Sequence, residues 1–95
     1  MLTGKERASL RAQANGLDTI LHVGKDGISE NTIKQADDAL RARELIKGRV
    51  LESAGLSARE ACVQLAEETG SEPVQVIGTR FVLYRSNPEQ NRIRP

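Results

Sequence analysis

The chain has 95 residues, enough for one domain with a modest hydrophobic core and no need of metal or disulfide staples. Hydrophobic residues make up 38% and charged residues 28%, the balance of a soluble globular domain, and the net charge of +1 by itself points to no polyanionic partner. Phe81 and Tyr84 are the only aromatics and Cys62 the only cysteine, which excludes an intramolecular disulfide, a cysteine zinc cluster and a broad aromatic platform for stacked bases.

Thr3 followed by Glu6 has capping-box spacing, so a first helix is predicted from Thr3 to about Asn15, with Leu10, Ala14 and Leu17 as its buried stripe. Thr19–Val23 reads as a short strand, interrupted by the tight loop Gly24-Lys25-Asp26-Gly27. Ser29 can cap a second helix over Glu30–Ala42, whose Ile33, Ala36 and Leu40 share one face. Glu44–Leu51 is predicted as a strand. The period of two puts Ile46 and Val50 on one side and Leu45, Lys47 and Arg49 on the other, with Gly48 leaving room for a close approach. Ser57 and Glu60 form a second capping box before the apolar stripe Ala61, Cys62, Leu65 and Ala66, which stops at Thr69-Gly70. Val74–Ile77 and Arg80–Tyr84 read as a hairpin turning at Gly78-Thr79, and residues 87–95 as a flexible tail after a domain spanning 1–86. The order α-β-α-β-α-β-β predicts an α/β two-layer sandwich with a four-stranded mixed sheet.

Charge is unevenly spread. Residues 51–72 carry Glu52, Glu60, Glu67, Glu68 and Glu72 against Arg59, whereas residues 73–95 carry Arg80, Arg85, Arg92 and Arg94 against Glu89. If the acidic segment packs away from the rest, a basic side survives within a near-neutral total. Candidates for that side are Lys47 and Arg49 on one strand face, Arg7 and Arg11 one helical turn apart, and Arg80 and Arg85, which odd spacing sends to opposite faces. In the glycine loop, Gly24 and Gly27 permit close approach of a sugar-phosphate chain, Lys25 supplies a cation, and the following helix offers its amino end. The GxxG arrangement is that of KH modules, which clamp a nucleic-acid backbone with such a loop; it lacks the Gly-Lys-[Ser/Thr] ending of a P-loop.

Catalytic constellations are poor. His22 stands alone in a strand, the adjacent Asp37 and Asp38 point in different directions on a helix, and Cys62 lies in an alanine-rich stripe. No metal-ligand spacing or cofactor motif appears, so neither a metal, a cofactor nor an enzymatic activity is expected. The opening Met1–Arg7 lacks the apolar stretch of a signal peptide and no apolar run has membrane-span length, which predicts a cytoplasmic chain with no membrane partner.

Three segments together resemble one family: Gly24-Lys25-Asp26-Gly27-Ile28, Arg43-Glu44-Leu45-Ile46-Lys47, and Val74-Gln75-Val76-Ile77-Gly78 leading into Phe81-Val82-Leu83-Tyr84-Arg85. With the opening Leu2-Thr3-Gly4-Lys5-Glu6-Arg7, they resemble the bacterial YhbY proteins, stand-alone versions of the CRM (chloroplast RNA splicing and ribosome maturation) domain. The resemblance implies a fold similar to the C-terminal domain of a translation initiation factor, with a KH-like GxxG loop. It also implies RNA binding, with large-subunit rRNA and the pre-ribosomal large subunit as partners in ribosome assembly; a monomer is expected. Carried over by position, Gly24, Lys25, Asp26 and Gly27 are the loop, Lys47 the strand lysine and Arg85 the closing arginine. Two departures stand out. Gly48 replaces a usual apolar residue, predicting a looser strand, and Thr79-Arg80 replaces a basic residue followed by Thr, shifting a charge by one position and so to the other face. The competing expectation is a protein-interaction module that docks on a ribosomal protein or assembly factor through the acidic third helix or the apolar residues near the tail, with incidental RNA contact.

Overall fold

The computed structural model describes residues 2–89 and 93–95. Its elements are α1 (Gly4–Ala14), β1 (Thr19–Val23), α2 (Glu30–Arg43), β2 (Leu45–Val50), a 3₁₀ turn (Glu52–Ala54), α3 (Ala58–Thr69), β3 (Glu72–Ile77) and β4 (Arg80–Tyr84). The helices start where their caps stand. Thr3 and Glu6 cap α1 reciprocally, Ser57 and Glu60 do the same for α3, and Ser29 caps α2 with Thr32 completing a third box. Each box satisfies two backbone N–H groups that a helix terminus otherwise leaves open.

The strands form one mixed sheet in the order β1-β2-β4-β3, with β1 parallel to β2 and the other two pairs antiparallel. On one face, α2 and α3 bury Leu21, Val23, Ile46, Val50, Phe81 and Leu83 against Ala36, Leu40, Ala61, Cys62 and Leu65. This is the expected sandwich. The other face adds cover of its own: α1 lays Leu10 and Ala14 on Leu45, Val74, Val82 and Tyr84. Being only 11 residues long, α1 covers one end of that face.

Three junctions differ from the sequence reading. Glu44, expected at the head of a strand, instead ends α2 with a positive φ of 68°, its N–H bonded to Leu40 O and its carbonyl accepting from Arg85 N–H. Helix and strand follow each other here without a loop, and the chain reverses at that one residue. β3 begins at Glu72, two residues early, and takes in Pro73; an edge strand tolerates a residue without an N–H, and the register shifts beside it. The 3₁₀ turn had no signal of its own. The Gly78-Thr79 hairpin is present, with φ +58° at Gly78, the position that type II′ turns reserve for glycine.

Gly48 does not loosen β2. It is buried and pairs with Phe81 across β4, and the Phe81 ring fills the space above it. A Cβ at position 48 would lie 2.7 Å from Cε2 and 2.9 Å from Cε1 of that ring, and closer still to Cζ. Phe81 is wholly buried and is the largest such side chain among the described residues. The apolar residue usual at this position is thus replaced by a ring contributed from the neighbouring strand.

Gly48→Ala should therefore destabilise the fold. The about 0.5–1 kcal/mol that alanine gains over glycine in a strand is outweighed by an overpacking cost of about 1–3 kcal/mol. Urea denaturation should show a lowered midpoint at unchanged m-value, and adding Phe81→Leu to the Gly48→Ala variant should recover part of the loss.

Candidate nucleic-acid interface

The turn at Gly24–Gly27 closes with a hydrogen bond from Gly27 N–H to Gly24 O of 2.8 Å, and Gly27 takes a positive φ of 63°. Lys25 and Asp26 are exposed at its tip. The loop is held from below by Leu51 N–H donating to Val23 O at 2.8 Å, and from the side by the Thr32 hydroxyl donating to Gly27 O at 3.2 Å. Because Ser29 already takes the Thr32 N–H, the amino end of α2 keeps fewer open donors than an uncapped helix.

Strand pairing decides which cations meet. His22, Arg49, Arg80 and Ile77 are successive register partners across β1, β2, β4 and β3 and form one row on the α1 side of the sheet. The next row inward holds Lys47, Val82 and Gln75. All four members of the outer row are exposed, since α1 stops short of them. The one-residue shift of charge to Arg80 thus puts it directly opposite Arg49 and on the same face as Lys47, against the expectation that it would leave that face. Among the described residues, Lys25, Lys47, Arg49 and Arg80 have no ion-pair partner. Like charges directly opposite in a sheet are destabilising, so this end of the face carries a cost that a polyanion would relieve.

Since β1 ends at Val23 and β2 at Val50, the Gly24–Gly27 loop, Arg49 and the Gly78-Thr79 turn lie at the same end of the sheet. Val50 N–H donates to Thr79 O at 2.8 Å and ties that end together. The acidic α3 packs on the opposite face, whereas Glu52 of the same acidic segment lines a groove with Arg49, so the charge segregation expected from the sequence is only partial.

Other candidates fall elsewhere. Arg7 donates to the Pro73 carbonyl and fastens α1 to β3. Arg11 lies on the same helical stripe, between Arg7 and Asn15. Arg85 turns to the α2–α3 side, where its Nη1 reaches Asp37 Oδ1 at 2.6 Å and Thr69 O at 2.8 Å and its Nη2 reaches Asp37 O at 3.1 Å. That guanidinium joins α2, α3 and the end of β4 and is not gathered with the basic rows. The Arg85 hydrogen bond is the main reason that the Asp37 carboxyl is held below its usual range, with Arg41 and Lys34 adding to it. Asp38 faces Lys34 and Arg41 instead. Cys62 lies in the core, where burial pushes its thiol up to about 11, so it stays protonated at neutral pH. Beyond β4, Asn87 donates to Arg41 O, Gln13 to Arg94 O, and Ile93 N–H to a carboxylate oxygen of the buried Glu44. Arg92 lies outside the described residues. Among those described, no cluster of potential metal ligands occurs and no helix is long and apolar enough to cross a membrane.

A half-covered sheet face carrying Lys47, Arg49 and Arg80 beside a glycine turn has the charge footprint of domains that bind nucleic acid. The chain belongs to the CRS1/YhbY (CRM) domain family, whose model matches residues 2–85. It is 42% identical over 93 residues to Probable RNA-binding protein YqeI of Bacillus subtilis, covering 98% of this chain and 97% of that one. Probable RNA-binding protein MJ0652 of Methanocaldococcus jannaschii is 41% identical over 86 residues, covering 88% of this chain and 63% of its own length. The solution structure of protein SAV1595 from Staphylococcus aureus superimposes with a TM-score of 0.79 at 45% identity, covering 99% of this chain and 98% of that one.

Two stability measurements follow from these contacts. Asp37→Asn should lower stability at neutral pH. Because the folded pKa of Asp37 is depressed, its contribution is present above the unfolded value of about 3.9 and is lost as pH falls through the folded one. The gap between wild type and variant in thermal or urea denaturation should therefore close on acidification below about pH 4. Arg80→Glu places a carboxylate opposite Arg49 and should raise stability by about 0.2–1 kcal/mol. Screening should keep the gain at the low end of that range in physiological salt.

Proposed function

We propose that this chain binds RNA with the open, α1-side end of its sheet and the adjoining Gly24–Gly27 loop. Its RNA is rRNA in precursors of the large ribosomal subunit, where the protein acts in the cytoplasm as a monomeric, non-enzymatic assembly factor. One observation carries the reading: Lys47, Arg49 and Arg80 occupy two adjacent rows of one sheet face, unpaired among the described residues, at the end that bears the glycine loop. The names of the relatives, RNA-binding proteins from a bacterium and an archaeon, agree with it.

In this reading the RNA backbone crosses the loop, where Gly24 and Gly27 allow close approach, Lys25 meets a phosphate, and Asp26 at the tip favours a single path for the chain. Lys47, Arg49 and Arg80 extend the track over the sheet and Arg11 borders it. Affinity then arises mainly from phosphate neutralisation and counterion release. Docking through α3 is the alternative, and one observation favours it: Val63 stays 45% exposed among the acids of that helix.

Binding of large-subunit rRNA fragments to wild type, Lys25→Asp and Arg80→Glu, with circular dichroism as the fold control, tests the reading. Four phosphate contacts predict a slope of about −3 to −4 in log K against log salt. Both variants should bind at least tenfold more weakly, Arg80→Glu despite its gain in stability. A flat salt response, or loss of partners from a nuclease-treated pull-down only when Glu67 and Glu68 are replaced, would favour docking through α3.

A further inference from the structure

The cations of the open sheet end surround something other than flat surface. Where α1 ends, Asn15 overhangs the sheet and a cleft of ≈ 140 Å³ opens between it and β2, β4 and β3. Lys47, Val82 and Gln75 line it from one row of the sheet and Arg80 and Ile77 from the next, so two cations, two apolar side chains and an amide border the same space. Ile77 is 64% exposed, the most exposed large hydrophobic side chain described, ahead of Val63 on the other side of the molecule. The side-chain amides of Asn15 and Gln75 have no hydrogen-bond partner among the described residues. No acidic residue lines the cleft.

Each feature limits the occupant. The volume exceeds the roughly 30 Å³ share of a water in the liquid but falls short of the roughly 300 Å³ at which drug-sized pockets begin, so one flat ring system fits and a peptide segment does not. Apolar lining suits the face of a ring, and two amides in the lining, each both donor and acceptor, suit an edge with mixed hydrogen-bonding groups. Lys47 and Arg80, from adjacent rows of the same lining, suit the phosphates that flank such a ring along a polyanion.

Resting on the RNA reading above, we propose that this cleft seats one unstacked RNA base. Its face lies on Val82 and Ile77, its edge meets Asn15 and Gln75, and the phosphates on its two sides meet Lys47 and Arg80. The ligand class is therefore RNA with an unpaired nucleotide, a bulge, loop or single strand, and continuous duplex is the poorer ligand. With an aliphatic rather than aromatic lining, the seat selects for an extruded base more than for which base it is.

The test compares a continuous RNA duplex with the same duplex carrying one bulged nucleotide, replaced by 2-aminopurine as a fluorescent reporter. Wild type should bind the bulged RNA at least tenfold more tightly, and the reporter's emission should change on binding. Gln75→Ala and Ile77→Ala, both at solvent-accessible positions, should reduce that preference to less than threefold while leaving duplex affinity and the salt slope unaltered. Lys25→Asp should weaken both ligands and keep their ratio. Equal binding of the two RNAs by wild type overturns the base seat and leaves the RNA reading standing, as does a bulge preference that neither cleft variant alters. Binding of neither RNA overturns both.

Discussion

The ring of Phe81 lies where a side chain on residue 48 would be, and the two central strands depend on that exchange. β2 and β4 pair with each other and each carries an outer strand, so their pairing forms the centre of the sheet. With Gly48 beneath it, Phe81 can lie wholly buried and touch the core formed by α2 and α3, and a single ring does what two smaller side chains would do elsewhere. The same pairing fixes the register of the opposite side of both strands. If Gly48 faces Phe81, then Lys47 must face Val82 and Arg49 must face Arg80. The packing of one face thus determines the charge pattern of the other.

The two sheet faces do different work. One is fully covered by two helices and holds most of the large apolar residues. The other is covered only as far as α1 reaches, and the rows beyond it mix cationic and polar residues with the apolar Val82 and Ile77, with a cleft at the boundary. A short helix leaves this end of the sheet available for binding, and a longer one would close it. The fastening of α1 by Arg7 at Pro73 and by its own buried Leu10 keeps that boundary in place.

Arginines serve two purposes here, and their surroundings separate them. Arg85 is only partly exposed, makes three hydrogen bonds and joins elements far apart in the chain, so its guanidinium belongs to the fold. Arg49 and Arg80 are exposed, face each other and lack a described acidic partner. Such an arrangement costs stability in the free protein and is matched by a ligand that brings its own negative charge.

Much of the architecture was legible in local patterns. Capping boxes act over three residues, helical stripes over three or four and strand alternation over two, so the starts of α1, α2 and α3 and the facing of Ile46 against Lys47 could be read directly. The family was legible as well, from three short segments spread along the chain. What the tertiary structure alone decided is non-local: that β4 lies between β2 and β3, that α1 takes the opposite face from α2 and α3, and that Arg80 meets Arg49 whereas Arg85 meets Asp37. Glu44 reversing the chain in one residue and Gly48 yielding its place to Phe81 belong here too. Residues 30 to 50 positions apart are brought together by which faces must be buried, and no periodicity within one element carries that information.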